Sequence, residues 1–324
     1  MRPTRRGFAV LAVAVAALLV SARFGQPGLT AVAGPLFVGV FAAAVQVRWS
    51  DAPTVERGRL HRGFPGETKP VEFRVDGSGI ATVTDRLSEE LEGETTVTKS
   101  LPATVIYRVT YTARGEQQVG PVEATVTDAL GLVAERYTIE SRTAVLVYPP
   151  VYRLGGTDAF ARTFTPESED RQSFDRLREY VSGDSLRDVH WKSSAKREDL
   201  LVKEFTDNRS DRTLLVSAEA QRGHADEMAA AAATITMAAL ESGLAVELAV
   251  PNGAVEQGYG DTHRTRLLEL LARADAGRTD RADDADVVVT ANGDGVTVSV
   301  DGRRQSFADV TASRDNPIAG EVSG

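Results

Sequence analysis

Two long apolar runs near the start of the chain constrain its fold more than any other feature. Residues 7–22 form a run of 16 residues and residues 28–47 a run of 20, and Arg23 between them is the only charge of this region. The second run is long enough to cross a hydrocarbon core of about 30 Å as a helix. The first is shorter, but arginines at its ends can reach the headgroups. Because Pro27 breaks the chain between the runs, the pattern predicts a transmembrane helical hairpin at residues 1–50.

The placement of arginine predicts the orientation of this hairpin. Arginines cluster on both flanks and are scarce in the turn: Arg2, Arg5 and Arg6 precede the hairpin, and Arg48, Arg57, Arg59 and Arg62 follow it. Positively charged flanks stay on the cytoplasmic side. We therefore expect a two-helix protein of the cell membrane whose N-terminus and soluble domains are cytoplasmic. The alternative is a cleaved signal peptide with residues 20–22 as its cleavage site, in which case the second run would still anchor the chain.

The rest of the chain is acidic and free of cysteine. Residues 49–324 hold 32 of the 37 basic residues against all 46 acidic residues, which argues against general nucleic-acid binding because that needs a basic face. Only 5 of the basic residues are lysine; scarce lysine with abundant acid suggests, as a hypothesis, a halophilic archaeal host. The absence of cysteine excludes disulfides, thiolate catalysis and cysteine-ligated metals.

Residues 51–150 show the two-residue alternation of short strands. The pattern is clearest at residues 71–75, 105–111, 122–126 and 144–147, with turn signals such as Gly120-Pro121 between the segments. Several short strands at this spacing predict an immunoglobulin-like β-sandwich. The segment shows no arrangement of nucleophile and base, so we interpret it as a spacer or a binding module.

Beyond residue 200 strands alternate with helices, which predicts an α/β domain over residues 151–310 with a mostly parallel sheet. Residues 311–324 are expected to be a flexible tail. The predicted strands are 200–205, 213–216, 245–250, 286–290 and 296–300, and the predicted helices are 226–242 and 262–274. Ligands of such sheets bind beyond the carboxyl ends of the strands. The first such end offers Ser217 and Glu219 but no aspartate, a poor ligand set for a hard cation, so we expect no metal and no other cofactor.

Residues 171–205 concentrate charge around one of the two tryptophans of the chain. This segment carries eight basic and seven acidic side chains in 35 residues. The spacing of Phe174, Leu177 and Val181 predicts a helix, and Asp184 or Ser185 can cap a second helix. On that second helix Arg187 and Trp191 are four residues apart, as are Lys192 and Lys196. Two interpretations remain open: an internal ion-pair network, or a recognition surface for a partner.

The same segment resembles the family known as domain of unknown function 58, whose signature runs roughly F-x-x-L-R-x-Y-x-x-G-D-x-x-R-x-[IV]-x-W-x-x-[ST]-A-[RK]. The matching residues are Phe174, Leu177, Arg178, Tyr180, Gly183, Asp184, Arg187, Val189, Trp191, Ser194, Ala195 and Lys196. The likeness extends upstream through Tyr107, Arg114-Gly115, Gly120-Pro121, Asp128, Gly131-Leu132 and Val147-Tyr148-Pro149.

The resemblance implies a two-helix anchor, a C-terminal domain similar to von Willebrand factor A, and neighbouring genes for MoxR-type AAA+ ATPases. Some such domains carry a metal-ion-dependent adhesion site of the form D-x-S-x-S. The matching positions here are Ser217, Glu219 and Gln221, and all three depart from that pattern. The resemblance thus implies a domain without the metal-bridged binding of those relatives.

These observations favour a non-enzymatic, membrane-anchored scaffold that binds a protein partner, with a MoxR-type ATPase suspected. The candidate partner-binding residues are Arg178, Tyr180, Asp184, Arg187, Trp191, Lys192 and Lys196. One alternative is a cell-envelope assembly or stress-sensing protein whose sandwich binds a ligand, which would require the soluble part outside the membrane. Another is a hydrolase with His190 as general base, for which Ser194 is a poorly constrained nucleophile.

Overall fold

A computed structural model describes residues 1–25, 27–155, 213–300, 302–313 and 318, together with the backbone of residues 174–179 and 201–205. Contacts between residues divide the chain into two compact units, Met1–Tyr148 and Pro149–Ile318. The first unit holds the apolar runs and a β-sandwich, and the second holds an α/β domain.

Two apolar helices open the first unit: α1 (Arg5–Phe24) and α2 (Pro27–Trp49). Thr4 caps the start of α1, its hydroxyl accepting a hydrogen bond from the Gly7 N–H at 3.1 Å. Gly25 ends the helix in the left-handed conformation, with φ of 68°, which glycine adopts without strain. The predicted helical pair is confirmed, and both helices are long and apolar enough to cross a membrane.

Ten strands complete this unit and form two antiparallel sheets. They are β1 (Arg2–Pro3), β2 (Thr54–Arg57), β3 (Thr68–Asp76), β4 (Ile80–Leu87), β5 (Leu91–Glu92), β6 (Thr96–Ser100), β7 (Ala103–Tyr111), β8 (Gly115–Thr127), β9 (Val133–Ile139) and β10 (Thr143–Val147). One sheet runs β1-β9-β8-β4-β6, with β10 also paired to β8, and the other runs β2-β3-β7-β5.

A shared apolar core joins the two sheets into a sandwich. Alternate residues of the longer strands point into this core, as the burial of Val71, Phe73 and Val75 along β3 illustrates. Opposite them, β4 and β8 contribute residues such as Val83 and Val122. The strands predicted at 71–75, 105–111, 122–126 and 144–147 all lie within observed strands, so the alternation predicted these strands correctly.

The second unit contains a six-stranded sheet of order β16-β15-β14-β17-β18-β19. Its elements are β14 (Thr213–Ala220), α3 (Ala225–Glu241), β15 (Ala245–Val250), β16 (Gly253–Gly258), α4 (Gly260–Ala272), β17 (Val287–Asn292), β18 (Gly295–Val300) and β19 (Arg303–Ser306). The three central strands are parallel and the outer three are antiparallel. The apolar faces of α3 and α4 are buried through residues such as Ile235 and Leu267.

The periodic patterns beyond residue 212 are confirmed to within a few residues. The helix predicted at 226–242 is α3, the one at 262–274 is α4, and the terminal hairpin pairs Asn292 with Gly295. Gly243 follows α3 with φ of 80°, which suits glycine after a helix end.

The helix predicted at the start of the charged segment is wrong. Phe174–Glu179 is a strand, β12, and it pairs antiparallel with β13 (Leu201–Phe205). The strand expected at 200–205 is therefore present, but it forms a separate two-stranded sheet with β12.

Regular structure continues into the segment expected to be a tail. After the short helix α5 (Phe307–Val310), β20 (Thr311–Ser313) pairs antiparallel with β11 (Arg153–Leu154). This pairing joins the two ends of the second unit.

Candidate functional site

The outward faces of α1 and α2 carry most of the exposed large apolar side chains of the described residues. They are Phe8, Val13, Val15, Leu18, Leu19, Val20, Phe24, Val32, Val38, Phe41 and Trp49. Small residues such as Ala14 and Ala33 are buried where the hairpin packs. A helix pair with small residues inside and large apolar residues outside is suited to hydrocarbon and not to water.

Charged side chains occur only at the two ends of this hairpin. Arg5 and Arg6 begin α1 and Arg48 lies in the last turn of α2, so they share one end. Arg23 lies at the other end, with its guanidinium 5.6 Å from the centre of the Phe24 ring. Since the 20 residues of α1 rise about 30 Å, the helix separates these charges by about the thickness of a hydrocarbon core.

A tight turn of the sandwich, residues 128–133, is fixed by one buried carboxylate. Asp128 is 1% exposed and accepts three backbone hydrogen bonds, from Leu130 at 2.8 Å and from Leu132 and Val133 at 2.7 Å each. Three charge-assisted bonds to one side chain hold the backbone in a single conformation. The Asp-x-x-Gly-Leu motif of the sequence thus has a structural explanation, which sequence reasoning did not supply.

This turn contacts the end of the hairpin at which α1 begins and α2 ends. The Thr4 N–H donates to the Leu132 carbonyl at 2.9 Å, and the Thr4 hydroxyl donates to the Gly131 carbonyl at 2.6 Å. A Cβ atom at Gly7 would collide with the Leu132 carbonyl oxygen. We call residues 128–133 together with these helix contacts the hairpin seat.

The hairpin seat also has an apolar core of its own. Ala43 and Val47 of α2 are buried in one cluster with Leu132 and Val133 of the sandwich. Val10, Val40 and Ala44 of the helices pack against that cluster. The sandwich is therefore joined to the hairpin by apolar packing and hydrogen bonds as well as by the chain after α2.

The carboxyl end of β14, where the sequence suggested a degenerate metal site, is covered by residues 277–281. The Glu219 carboxylate accepts the Thr279 N–H at 3.0 Å, and the hydroxyl of the fully buried Ser217 donates to the Thr279 hydroxyl oxygen at 3.5 Å. Ala220 and Gly277 exchange two backbone hydrogen bonds. Gln221 lies just beyond β14, and its N–H donates to the Ala291 carbonyl at 2.8 Å.

In this arrangement the polar side chains at the end of β14 form hydrogen bonds with other residues of the protein. Among the residues that the structure describes, no group of three histidine, aspartate or glutamate side chains is placed to hold a metal ion. His263 belongs to the same unit, and its ring Nε2 lies 2.7 Å from the Val246 carbonyl oxygen in a buried contact, which positions α4 against β15.

Most of the predicted partner-binding residues lie outside the described part of the chain. Arg178 is the exception, because it belongs to β12 and stands opposite Val202 of β13. The others are Tyr180, Asp184, Arg187, Trp191, Lys192 and Lys196, and His190 lies outside as well. Their proposed roles remain predictions.

The second unit also has an open groove of about 710 Å³ that sequence reasoning missed. The rings of Tyr152 and Phe307, whose centres lie 6.1 Å apart, line this groove together with the acids Glu227 and Asp294.

Sequence reasoning also missed a buried ionic cluster in the sandwich. The Arg57 guanidinium lies 2.8 Å from the Asp85 carboxylate, both side chains are at most 1% exposed, and the Tyr107 hydroxyl donates to Asp85 at 2.6 Å. Burial, followed by the hydrogen bond to Asp85, raises the pKa of Tyr107. Arg57 also lies over the Phe73 ring at 5.1 Å. Arg57 faces inward on β2, two residues after Val55. This two-residue alternation is the sequence signal that could have revealed the buried arginine.

Comparison with known proteins agrees with the resemblance noted in the sequence. Residues 176–298 match the family model described as "Protein of unknown function DUF58". This match covers less than half of the chain. It is also similar to the uncharacterized protein YeaD of Bacillus subtilis (strain 168), with 25% identity over 191 residues that cover 53% of this chain and 46% of YeaD. The chain thus matches less than half the length of that relative.

Several solved structures resemble part of the chain. A structure of the human seminal plasma complex between zinc 2-glycoprotein and prolactin inducible protein shows 14% identity and a TM-score of 0.24, covering 30% of this chain and 95% of that one. WR4, an MSP family member of C. elegans, shows 8% identity and a TM-score of 0.20, covering 29% and 94%. Likenesses this slight support no functional argument.

Proposed function

We propose that the protein is a non-enzymatic, membrane-anchored scaffold whose cytoplasmic domains bind a protein partner. The observation that carries the anchoring is the concentration of exposed large apolar side chains on α1 and α2. In water those side chains would form an apolar patch far larger than soluble monomers expose. In a bilayer they face hydrocarbon, and the arginines at both ends reach the headgroups.

The body that this anchor holds is interpreted as an immunoglobulin-like sandwich followed by a von Willebrand factor A-like domain. Two antiparallel sheets around one core support the first assignment. A sheet with parallel central strands and flanking helices, within the DUF58 match, supports the second. Binding of a partner in such a domain would not use a metal bridge, because Glu219 and Ser217 are bonded to residues 277–281.

The proposed partner is a protein, with a MoxR-type AAA+ ATPase as the candidate that the family resemblance suggests. The charged segment around Trp191 is the proposed contact. The open groove lined by Glu227 and Asp294 offers a second candidate surface.

Orientation is tested by labelling single cysteines, because the natural chain contains none. Ser78→Cys places an exposed thiol on the sandwich, and Phe24→Cys places one at the last residue of α1, next to the turn that leads to α2. We expect a membrane-impermeant maleimide to label position 24 in intact cells and position 78 only after lysis. The opposite pattern would contradict the cytoplasmic placement and would favour the cell-envelope alternative.

Partner binding is tested by recovery from gently solubilised membranes. We expect an Arg187→Ala/Lys192→Ala variant to lose a protein that the natural chain recovers. Arg303→Ala/Arg304→Ala is the matched control, since it removes two exposed basic residues from β19. Recovery of the same proteins by all three chains would show that the charged segment is not the contact.

A further inference from the structure

The hairpin seat places one part of the sandwich at the depth of the membrane surface. The cluster of Leu132 and Val133 includes Val47 near the end of α2, and Val10 and Val40 pack against it from within the helices. Val10 lies five residues after the start of α1, a rise of about 7 Å. If the arginines at the helix ends lie among the headgroups, as the proposed anchoring requires, the turn at 128–133 lies at the boundary between headgroups and hydrocarbon.

The tip of that turn presents an uncovered apolar side chain. Leu130 is 64% exposed, and its backbone N–H is held at 2.8 Å by the buried Asp128 carboxylate. Apart from the helices, exposed large apolar side chains of the described residues are few: Met1, Ile80, Ile106, Leu130 and Tyr259. Leu130 is the one that belongs to the hairpin seat. This tip lies next to the end of the hairpin, because the neighbouring residues Gly131 and Leu132 accept hydrogen bonds from Thr4.

The charge around this tip suits anionic headgroups. Arg6 lies beside Gly131, with its guanidinium 3.9 Å from the position of a Cβ there, and Arg5 and Arg48 are exposed at the same end of the hairpin. The nearby Asp128 is buried and bonded internally. Trp49, 83% exposed at the end of α2, has the side-chain type that is enriched at membrane interfaces.

We propose that the turn at residues 128–133 is a membrane contact: Leu130 inserts at the boundary between headgroups and hydrocarbon, and Arg5, Arg6 and Arg48 bind anionic lipid headgroups. The sandwich is then fixed against the bilayer surface and not held by a linker alone. Arginine side chains near an anionic membrane surface are attracted to its headgroups. This inference rests on the membrane anchoring proposed above and adds a second point of lipid contact.

The test uses the full chain with single cysteines carrying an environment-sensitive NBD fluorophore, in vesicles of phosphatidylcholine and phosphatidylglycerol. Leu130→Cys reports on the turn. Ile106→Cys is the matched control, because Ile106 is an apolar residue of the same sandwich with a similar exposure of 58%. Leu19→Cys, on the outer face of α1, reports on the anchor itself.

We expect the probe at position 130 to shift its emission to shorter wavelength and to be quenched by lipids with a nitroxide near the headgroup. The probe at position 106 should show neither effect. In vesicles of phosphatidylcholine alone, the quenching at position 130 should decrease because the arginines lose their anionic ligands.

Three outcomes would overturn the inference. A probe at position 130 that shows neither the shift nor the quenching would show that the turn does not touch lipid. A shifted but unquenched probe at position 130 would show that protein covers the turn. In either case, quenching of position 19 by a deep nitroxide would leave the proposed anchoring intact, whereas its absence there would refute anchoring and inference together.

Discussion

The ionic cluster in the sandwich core joins the two sheets through three side chains. Arg57 and Tyr107 belong to one sheet and Asp85 to the other. Arg57 and Asp85 lie close together, but their geometry is not that of a hydrogen bond. The Asp85 Oδ1 atom also has no hydrogen-bond partner among the described residues. A buried pair of this kind is costly to break and adds little over well-packed apolar residues.

We therefore expect Asp85→Ala to lower the free energy of unfolding by about 3–5 kcal/mol, since it leaves Arg57 charged and buried. The double variant Arg57→Met/Asp85→Leu should recover most of that loss. The exposed pair of Arg74 and Asp76, 3.0 Å apart, offers a control, and Asp76→Ala should cost less than about 1 kcal/mol. Denaturant unfolding of the detergent-solubilised chain measures all three, and a double variant no better than Asp85→Ala would contradict the argument.

Because of a buried tyrosine, the stability of the sandwich decreases as the pH rises in the alkaline range. Burial, and to a smaller extent the Glu67 carboxylate, raise the pKa of Tyr111 from 10.0 to about 12, and its hydroxyl donates to the His61 carbonyl at 2.7 Å. Because the folded state holds this proton more tightly than the unfolded state, the stabilisation is complete below pH 10 and is lost as the pH rises towards 12.

We expect Tyr111→Phe to be less stable than the natural chain at neutral pH, because it lacks the bond to His61. Its free energy of unfolding should fall less steeply between pH 10 and 12. The exposed Tyr259 provides a control, and Tyr259→Phe should follow the natural chain. Unfolding curves collected across this pH range provide the measurement. If the free energy of unfolding fell equally steeply with pH for Tyr111→Phe and for the natural chain, the pH dependence could not be assigned to Tyr111.

The strands and helices of this chain differ in how well the sequence predicts them. The alternation at residues 71–75 follows directly from a strand with one buried face, and observed burial alternates in the same way along β3. The helix α3 was equally clear, because its alanine-rich run ends at Gly243. In both cases local pattern and tertiary packing require the same structure.

The segment at 174–181 shows where such patterns fail. Apolar residues at positions 174, 177 and 181 suit a helix, but β12 has a register shift between Phe174 and Arg176. A bulge changes the two-residue repeat of a strand, so a spacing of three no longer distinguishes strand from helix. Its partner β13 begins 22 residues after β12 ends, a pairing that no local window reveals.

The candidate sites were predictable to different degrees. The apolar hairpin could be predicted from the sequence, because a run of about twenty apolar residues is typical of a membrane-spanning helix. The hairpin seat was not, because it depends on Thr4 and Gly7 meeting Leu132, more than 120 residues later in the chain. Long-range contacts through backbone carbonyls leave no periodic pattern in a sequence.

The segment at 277–281 covers the carboxyl end of β14 through Glu219, so we expect Glu219→Ala to loosen it. Loss of the bond to the Thr279 N–H should cost about 1 kcal/mol and should speed hydrogen exchange in residues 277–281. Glu256→Ala, on the exposed strand β16, serves as the control. Hydrogen exchange followed by mass spectrometry makes the comparison; unchanged exchange in residues 277–281 of Glu219→Ala would show that other contacts hold the segment.

The hairpin and the sandwich form one unit, and their connection through the hairpin seat makes the folding of one depend on the other. The contact is close because Gly7 has no side chain: the atoms nearest to a Cβ there all belong to the Leu132 backbone, which cannot move aside as a flexible side chain could. A methyl group at this position must therefore separate α1 from the turn at 128–133. The separation would also strain the hydrogen bonds of Thr4 and open the cluster of Leu132 and Val133.

We expect Gly7→Ala to destabilise this unit by about 1–3 kcal/mol, as overpacking of a close contact does. Gly34→Ala is the matched control, since Gly34 lies in α2 with open space around its Cβ position and alanine favours the helix by about 1 kcal/mol. Thermal unfolding in detergent, followed by the circular dichroism of the β-sheets, should show a lower midpoint for Gly7→Ala alone. Equal midpoints for both variants would mean that the sandwich folds independently of the hairpin, and the role of the hairpin seat in stability would have to be abandoned.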